Sequence, residues 1–161
     1  MVLNNEFKSK LPYIGSHEPT GTIYALGPDV KDWNVGDRVG ITNFESVDHT
    51  CPDCKTHRPK YCDNPLMMGI TTDGTWDEYM VADARFLVAI SENVPFAQAT
   101  GHICAGLAIY GAILKAGVRK GTYIAIVRVG RLDHVSTQLA KAMGYAVVAV
   151  DTKNEALDPA M

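Results

Sequence analysis

The sequence has little net charge, no basic-then-apolar pattern at its amino terminus and no long apolar run, and we expect each absence to exclude a class of protein. Its 161 residues carry a formal net charge of -3 at pH 7. The lysines and arginines are scattered rather than striped, which argues against nucleic-acid binding. No apolar run approaches the roughly 18 residues of a membrane helix, so we expect no membrane. The amino terminus also lacks the basic-then-apolar pattern of a secretory signal, and we therefore expect a cytoplasmic protein.

The composition indicates a soluble globular chain. Hydrophobic residues make up 47% and charged residues 20% of the sequence, and the length suffices for one good core or two small ones. Only four cysteines are present, and three of them, Cys51, Cys54 and Cys62, lie within twelve positions. In the cytosol, cysteines more often bind metal than form disulfides.

The three clustered cysteines predict a metal loop over residues 48–62. Cys51 and Cys54 form a C-x2-C hook, and Cys62 returns to it after seven residues. Structural zinc sites are almost always closed by four protein ligands, so three thiolates leave one corner of the tetrahedron open. A loop with unliganded thiols or with a disulfide is the alternative interpretation. The local candidates for the open corner are Asp48, His49 and His57.

This spacing resembles the structural zinc lobe of the zinc-dependent medium-chain alcohol dehydrogenases, whose four cysteines follow the pattern C-x2-C-x2-C-x7-C. Cys51, Cys54 and Cys62 fall on the last three positions, and Asp48 stands where the first cysteine would be. The resemblance therefore implies a zinc site in which one sulfur ligand is changed to oxygen, or one that His49 completes. A carboxylate is the harder donor, so we expect weaker zinc binding than with four thiolates.

Short strands separated by Gly, Pro and Asn predict a β-rich lobe over residues 1–95, and the resemblance implies that this lobe is a chaperonin-10-like catalytic domain. Residues 69–81 contain an Asp-Gly turn and predict a hairpin. Trp76 and Tyr79 are three apart on it, so at least one of them should belong to the core. The other expected strands are residues 22–26, 34–41 and 85–90.

Two further segments resemble catalytic-zinc motifs of the same family. Residues 15–21 resemble its G-H-E-x-x-G segment, which implies that His17 is a zinc ligand and Glu18 its acidic neighbour. Cys104, followed by Ala and Gly, resembles another ligand of that zinc. Without the resemblance, the His-Glu pair is a turn and the cysteine is a small buried hydrophobe. His102 replaces a usually aliphatic residue and is a candidate substitute ligand.

Residues 96–161 predict a truncated Rossmann-like segment. Apolar residues at helical spacing predict a half-buried helix over 97–116. A strand at 123–127, a turn, a helix and a strand at 146–150 then follow in the order of the first half of a Rossmann unit. The apolar residues that define the expected buried face of the first helix are Ile103, Leu107, Tyr110 and Leu114.

The turn after the first of these strands departs from the dinucleotide fingerprint. That fingerprint needs G-x-G-x-x-G for a tight turn and for close approach of the pyrophosphate. Only the middle glycine is present, as Gly130, while Arg128 and Asp133 replace the other two. The resemblance places its ribose-binding acid at Asp151. We expect NAD(P) binding to be impaired, because Asp133 puts a negative charge where a phosphate should lie.

Three functions agree with these observations. The first is a zinc-binding alcohol-dehydrogenase-like protein, by descent an oxidoreductase of alcohols and aldehydes that acts on a small-molecule substrate. The second is a repurposed redox-neutral enzyme, of the lyase, isomerase or cyclase type, that uses the old active-site cleft. The third is a non-catalytic remnant that serves as a binding or assembly partner.

The predicted strand pair also predicts self-association. A domain of the resembled kind has about six parallel strands, so we expect the chain to be truncated at both ends relative to the family. Residues 123–127 and 146–150 are apolar nearly throughout, as in strands buried on both faces. Two strands cannot form an independent sheet, and open edges invite another chain. We therefore expect a homodimer or another oligomer.

Overall fold

A computed structural model describes residues 11–153 and residue 157. The chain divides into two compact units, Met1–Ile103 and Cys104–Met161. The sequence predicts its domain boundary between residues 95 and 96, where the helical segment begins. The two units are described separately below.

A three-stranded antiparallel sheet organises the first unit, with the second strand in the centre. Val39 and Ile41 of the central strand are buried. A side chain at Gly40, between them, would force the Ile103 side chain to move, because a Cβ there would overlap its Cδ1 atom. This glycine therefore lets the helical segment that carries Ile103 approach the sheet. The three strands are β1 (Thr20–Thr22), β2 (Arg38–Ile41) and β5 (Leu87–Ala89).

A second, two-stranded antiparallel sheet flanks the metal loop. It pairs β3 (Phe44–Ser46) with β4 (Leu66–Met67). Between these strands lie the short helix α1 (Pro52–Lys55) and a 3-10 turn, Pro59–Tyr61. A small core beneath the loop contains two of its cysteines. Its members are Val47, Cys51 and Cys62, with Phe44, Cys54 and Phe86 packed against them.

The hairpin predicted at residues 69–81 is wrong, since this segment contains no strand beyond an isolated bridge at Thr72. Its backbone bonds to a distant segment instead of across its own turn. Gly74 N–H donates to the carbonyl of Ile14 (2.7 Å), and Thr75 N–H to that of Gly15 (2.7 Å). The expectation that Trp76 or Tyr79 is a core residue is also wrong, because the two are 76% and 68% exposed.

The other predicted strands are present but shorter or displaced. The strand expected at residues 22–26 lies at Thr20–Thr22. Beyond it, Ile23 donates its N–H to the carbonyl of Asp37 (2.9 Å) and accepts the N–H of Gly36 (2.9 Å). The segment expected as a strand at 85–90 begins with a 3-10 turn, Ala84–Phe86, before β5. The alternation of apolar and polar residues predicts which segments are extended. Where each strand begins and ends depends on the neighbouring strands to which it hydrogen-bonds.

The helix predicted at 97–116 is confirmed, but its buried face is not the expected one. It consists of α2 (Phe96–Gly101), a π turn (His102–Gly106) and α3 (Leu107–Lys115). Ile109 and Ile113 are buried in α3. The π turn holds more residues per turn than an α-helix and so shifts the phase of the residues after it. The three members of the expected face in α3 are exposed, namely Leu107, Tyr110 and Leu114.

The segment Phe96–Lys115 is also long and apolar enough to cross a membrane, by length and composition alone. This finding corrects the expectation that no segment reaches such a length. The expectation rested on uninterrupted apolar runs, whereas glycine, threonine and histidine interrupt this helix. A single helix of this kind is weak evidence, because the core helix of a soluble protein passes the same test.

The second unit confirms the predicted β-α-β order. Strands β6 (Tyr123–Val127) and β7 (Ala146–Val150) pair in parallel through the crossover helix α4 (Arg131–Ala142). Exposure alternates along both strands, so one face of the pair is half-buried and the other is exposed. The half-buried face packs on a core formed by Ile109, Ile113, Ala140 and Tyr145. The large exposed residues of the other face are Tyr123, Val127, Val148 and Val150.

Candidate functional site

The metal loop folds so that its backbone N–H groups point at its sulfurs. Cys51 caps α1, and its Sγ accepts a bond from Cys54 N–H (3.4 Å). The Sγ of Cys62 accepts from the N–H of Asp48 (3.5 Å) and of Asn64 (3.4 Å). Such bonds favour the charged thiolate, which is the form that ligates metal.

Four ligand atoms converge in this loop. One atom each from Asp48, Cys51, Cys54 and Cys62 lies within 4.8 Å of all the others. Ligand atoms around a tetrahedral zinc with Zn–S bonds of about 2.3 Å are roughly 3.8 Å apart, so small inward shifts would complete the coordination. All four cysteines of the chain are free thiols, which does not support the disulfide alternative. The donor set therefore fits zinc.

Hydrogen bonds and neighbouring thiols shift the pKa values of three side chains in this loop. Hydrogen bonds from the N–H groups of Cys51 and Thr50 hold the pKa of the Asp48 carboxyl well below its usual range. The N–H group of Cys54 lowers the pKa of the Cys51 thiol. Desolvation, and then the thiols of Cys51 and Cys62, raise the pKa of Cys54 to about 12. A divalent cation among the sulfurs would reverse this last effect, because opposite charge favours thiolate.

The structure places Asp48, and neither histidine, in the cluster. The His49 ring contacts Arg85 instead, with Nε2 2.7 Å from a guanidinium nitrogen. His57 is exposed in the turn after α1. Both histidines have a φ of +58°, a left-handed conformation that few non-glycine residues adopt. Asp48 is therefore the fourth ligand that the geometry favours.

A close backbone contact positions the segment before His17 and Glu18. The Oδ1 atom of Asp73 accepts from Ile14 N–H (2.9 Å). A Cβ on Gly74 would lie 2.2 Å from the carbonyl oxygens of both Gly15 and Ser16, so only glycine fits there. The Asp-Gly pair that suggested a hairpin instead holds the chain that leads into the His-Glu pair.

The expected catalytic-zinc ligands lie in both units. His17 and Glu18 precede β1 in the first unit, while Cys104 is the first residue of the second. The ligand set that they form by resemblance stays a prediction. His102 is exposed, and its Nδ1 lies 2.9 Å from the carbonyl oxygen of Gln98 on its own helix. Nδ1–H donates this bond, because a carbonyl only accepts.

The turn between β6 and α4 lacks two of the glycines of the dinucleotide fingerprint. Arg128 has a φ of +69°, in the left-handed region that glycine adopts most readily. The carboxylate of Asp133 accepts the N–H of Gly130 (3.2 Å) at the start of α4. The amino end of a helix is where Rossmann folds bind pyrophosphate. Here an N–H group of that end already binds an anion of the chain itself.

Asp151 follows β7, where the resemblance places the ribose-binding acid. Its Oδ1 accepts the N–H of Lys153 (2.9 Å). This bond is the main cause of the lowered pKa of Asp151, and the N–H of Val129 contributes. Asp151 is therefore an ionised carboxylate that lies beside the turn containing Val129.

The comparisons with known proteins agree with this architecture. Residues 1–92 match the family described as the alcohol dehydrogenase GroES-like domain. This chain belongs to the alcohol dehydrogenase family. An alcohol dehydrogenase of Geobacillus stearothermophilus is 40% identical over 151 residues, which are 94% of this chain and 45% of that protein. This chain thus spans about half the length of that relative.

Solved structures of zinc-type medium-chain alcohol dehydrogenases support both the resemblance and the fold class. A cinnamyl alcohol dehydrogenase of Sorghum bicolor matches 98% of this chain and 48% of its own, with a TM-score of 0.87 and 27% identity. A CAD of Helicobacter pylori complexed with NADP(H) matches 87% of this chain and 43% of its own, with a TM-score of 0.77 and 26% identity. The predicted chaperonin-10-like lobe followed by a Rossmann-type segment is confirmed.

Sequence reasoning missed two kinds of site feature. Arg85 and Asp83 contact the metal loop from 36 and 34 residues away, and no motif connects them with His49. Ser16 has a φ of +79° immediately before His17, at the position where the resembled motif has glycine. Its replacement of that glycine is visible in the sequence, and could have indicated a strained backbone.

Proposed function

We propose that this chain is a zinc-binding alcohol-dehydrogenase-like protein with a functional structural zinc loop and impaired nicotinamide binding. The observation that carries the zinc proposal is the convergence of one carboxylate and three thiol ligands in a single loop. Three sulfurs and one oxygen are a closed set for zinc, with no position left for substrate. The metal would therefore cross-link the loop and stabilise it.

A second metal position is proposed for catalysis, with His17, Cys104 and Glu18 as its ligands. This assignment follows the family motifs at those residues. A zinc bound there supplies a Lewis acid that polarises an alcohol or carbonyl oxygen. The bonds from residues 73–75 hold the backbone at Ile14 and Gly15, close before His17, and so limit where its imidazole can lie.

Impaired dinucleotide binding is proposed from the turn after β6. Asp133 competes for an N–H group that a phosphate would need, and its charge repels that phosphate. The side chain of Arg128 stands where a glycine would allow close approach. The CAD of Helicobacter pylori is complexed with NADP(H), so dinucleotide binding is the property in which we expect this chain to differ.

A redox-neutral activity is the second candidate, and the same turn favours it. If the zinc at His17 remains while hydride exchange is lost, the metal can still polarise a carbonyl in a reaction that needs no nicotinamide. The small-molecule substrate would then undergo addition, elimination or isomerisation. This candidate differs from the first in one measurable property, namely activity without dinucleotide.

Self-association is proposed from the exposed face of the β6–β7 pair. Four large apolar side chains lie on it, and large exposed apolar patches often mark protein–protein interaction sites. Light scattering at several concentrations should give a mass above the 17.5 kDa of one chain. A monodisperse monomer at high concentration would contradict this proposal.

Zinc content per chain, measured together with fluorescence titration by NADH and NADPH, tests the proposed function. We expect zinc in the purified protein and only weak dinucleotide binding. Alcohol oxidation with added NAD(P) supports the first activity, and turnover without it supports the second. Zinc-free protein that binds NADH at micromolar concentration would contradict the proposal on both counts.

A further inference from the structure

A network of three side chains connects the metal loop to the 3-10 turn Ala84–Phe86. Asp83 caps that turn, and its Oδ1 accepts both the backbone N–H (3.0 Å) and the Nε (2.8 Å) of Arg85. A terminal nitrogen of Arg85 donates to the other carboxylate oxygen at 2.6 Å. This two-point geometry holds the planar guanidinium in one orientation. The main cause of the lowered pKa of Asp83 is its hydrogen bond from Arg85.

The guanidinium in turn reaches the metal loop through His49. The same terminal nitrogen of Arg85 lies 2.7 Å from Nε2 of His49. A guanidinium only donates, so Nε2 accepts this bond. The other terminal nitrogen of Arg85 lies 3.4 Å from Nδ1, so the guanidinium lies along both ring nitrogens. The contact joins residues 36 positions apart in sequence. It therefore attaches His49 to a segment outside the metal loop.

The backbone turn at His49 determines the relative placement of two candidate zinc ligands, Asp48 and Cys51. Its left-handed backbone (φ +58°) forms the turn in which the Oδ1 of Asp48 accepts the N–H groups of Thr50 (2.8 Å) and Cys51 (2.9 Å). This turn sets the direction from the carboxylate ligand to the first thiol ligand. Phe86, next to Arg85, packs against the core that contains Cys51. The 3-10 turn thus supports the cluster from two sides.

We propose that Asp83 and Arg85 position the Asp48–Cys51 turn for zinc by holding the His49 ring. The inference rests on the proposed zinc site and deepens it, because it names residues that set affinity without ligating the metal. The Arg85 side chain is 63% exposed and therefore well hydrated, which limits what its ion pair with the less exposed Asp83 adds to stability. We therefore expect loss of the network to change the metal site more than the melting temperature of the metal-free protein.

The chain offers a matched control in the same loop. Arg58 pairs with Asp53 at 2.8 Å, and its side chain is 59% exposed, close to the 63% of Arg85. Among the described residues, the Arg58 side chain bonds to Asp53 and Thr56 rather than to His49, and it lies on the far side of α1 in sequence. Arg58→Ala removes the same charge and a similar ion pair, so it separates positioning of the turn from general electrostatic attraction of the cation.

Zinc affinity from chelator competition on the full chain tests the inference. We expect Arg85→Ala and His49→Ala each to weaken zinc binding about tenfold, as loss of supporting contacts around a metal typically does. The double variant should bind zinc no more weakly than either single variant, because both substitutions break the same contact between Arg85 and His49. Arg85→Lys should bind zinc as weakly as Arg85→Ala, since an ammonium group lacks the planar, two-point donor geometry of the guanidinium. Arg58→Ala should stay within about twofold of the parent protein.

The absorption spectrum of the cobalt-substituted protein gives a second readout. At saturating cobalt, the ligand-field bands of Arg85→Ala should shift, whereas those of Arg58→Ala should match the parent. If Arg85→Ala does not fold, His49→Ala supplies the same test from an exposed position. A tight-binding parent with unchanged affinity and spectrum in both variants overturns the inference alone. A parent that binds no zinc overturns the proposed zinc site as well.

Discussion

The metal loop and the turn after β6 both carry substitutions at motif positions, but the two substitutions differ in kind. In the loop, Asp48 replaces a cysteine and still directs a donor atom into the cluster. In the turn, Arg128 and Asp133 stand where the fingerprint has glycines; Arg128 has a left-handed backbone, and Asp133 accepts the N–H of Gly130 at the amino end of α4. A ligand position needs a lone pair, which several residues supply. A glycine position needs the absence of a side chain, which no other residue supplies.

Removing a thiolate from the loop should have the largest effect. Cys54→Ser should release zinc and lower the melting temperature by about 10 °C, because metal-binding free energy is part of the folding free energy. Calorimetry of the variant beside the chelator-treated parent checks this, and the two should melt together. An unchanged melting curve, with no metal in the parent, would show that the loop is not a zinc site.

Changing Asp48 measures how good the replacement donor is. Asp48→Cys restores the softer ligand and should tighten zinc binding about tenfold, while Asp48→Ala should weaken it by a similar factor. Chelator competition gives both values under one condition. If Asp48→Ala bound zinc as tightly as the parent, the carboxylate would not be a ligand, and the comparison with the turn would lose its basis.

Zinc affinity should rise with pH. The pKa of Cys54 is about 12 in the metal-free fold, so this thiol holds its proton throughout pH 6–9 and must release it to bind metal. Because protons compete with the cation, lowering the pH weakens binding, and we expect at least a tenfold change per pH unit. Titrations at three pH values check the slope. A flat profile would indicate that Cys54 does not ligate the metal.

Relieving the strained turn should stabilise the protein. Arg128→Gly removes a side chain from a left-handed backbone position and should add about 1 kcal/mol to the unfolding free energy. Ser16→Gly should act in the same direction in the first unit. Arg119→Gly is the matched control, because Arg119 is exposed but does not have a positive φ, and it should be neutral or destabilising. Equal effects of Arg128→Gly and Arg119→Gly in denaturant melts would contradict the strain argument.

The smallest expected effect is on dinucleotide affinity. Arg128→Gly combined with Asp133→Gly should improve NADH binding by less than tenfold, because phosphate contacts are only one part of a dinucleotide site. Fluorescence titration of the double variant against the parent measures the change. Tight NADH binding by the parent itself would show that these two side chains do not block the turn.

Local patterns predicted the second unit well and the first unit only in part. The strand at 123–127, the crossover helix and the strand at 146–150 follow from apolar periodicity, because each packs on its neighbour in sequence. The segment around Gly74 could not be predicted, since it bonds to Ile14 and Gly15 some 60 residues away.

The site divides in the same way. The cysteine spacing indicated three of the four converging ligands. For the fourth ligand, the sequence offered three candidates, of which Asp48 was one. No local pattern could exclude His49, because its ring is taken up by Arg85, a contact that arises only from tertiary structure. The prediction of which face of α3 is buried was wrong for a related reason. The π turn changes the phase of the helix, and no pattern in the sequence indicates a π turn.

Melting of the metal-free protein with and without zinc, and with and without NADH, tests the central comparison most directly. Ligands that bind the folded state raise its melting temperature according to their affinity. We predict a large rise in melting temperature with zinc and almost none with NADH, whether or not zinc is present. A large rise with NADH and none with zinc would contradict it, because the metal loop would then be the impaired site and the turn the functional one.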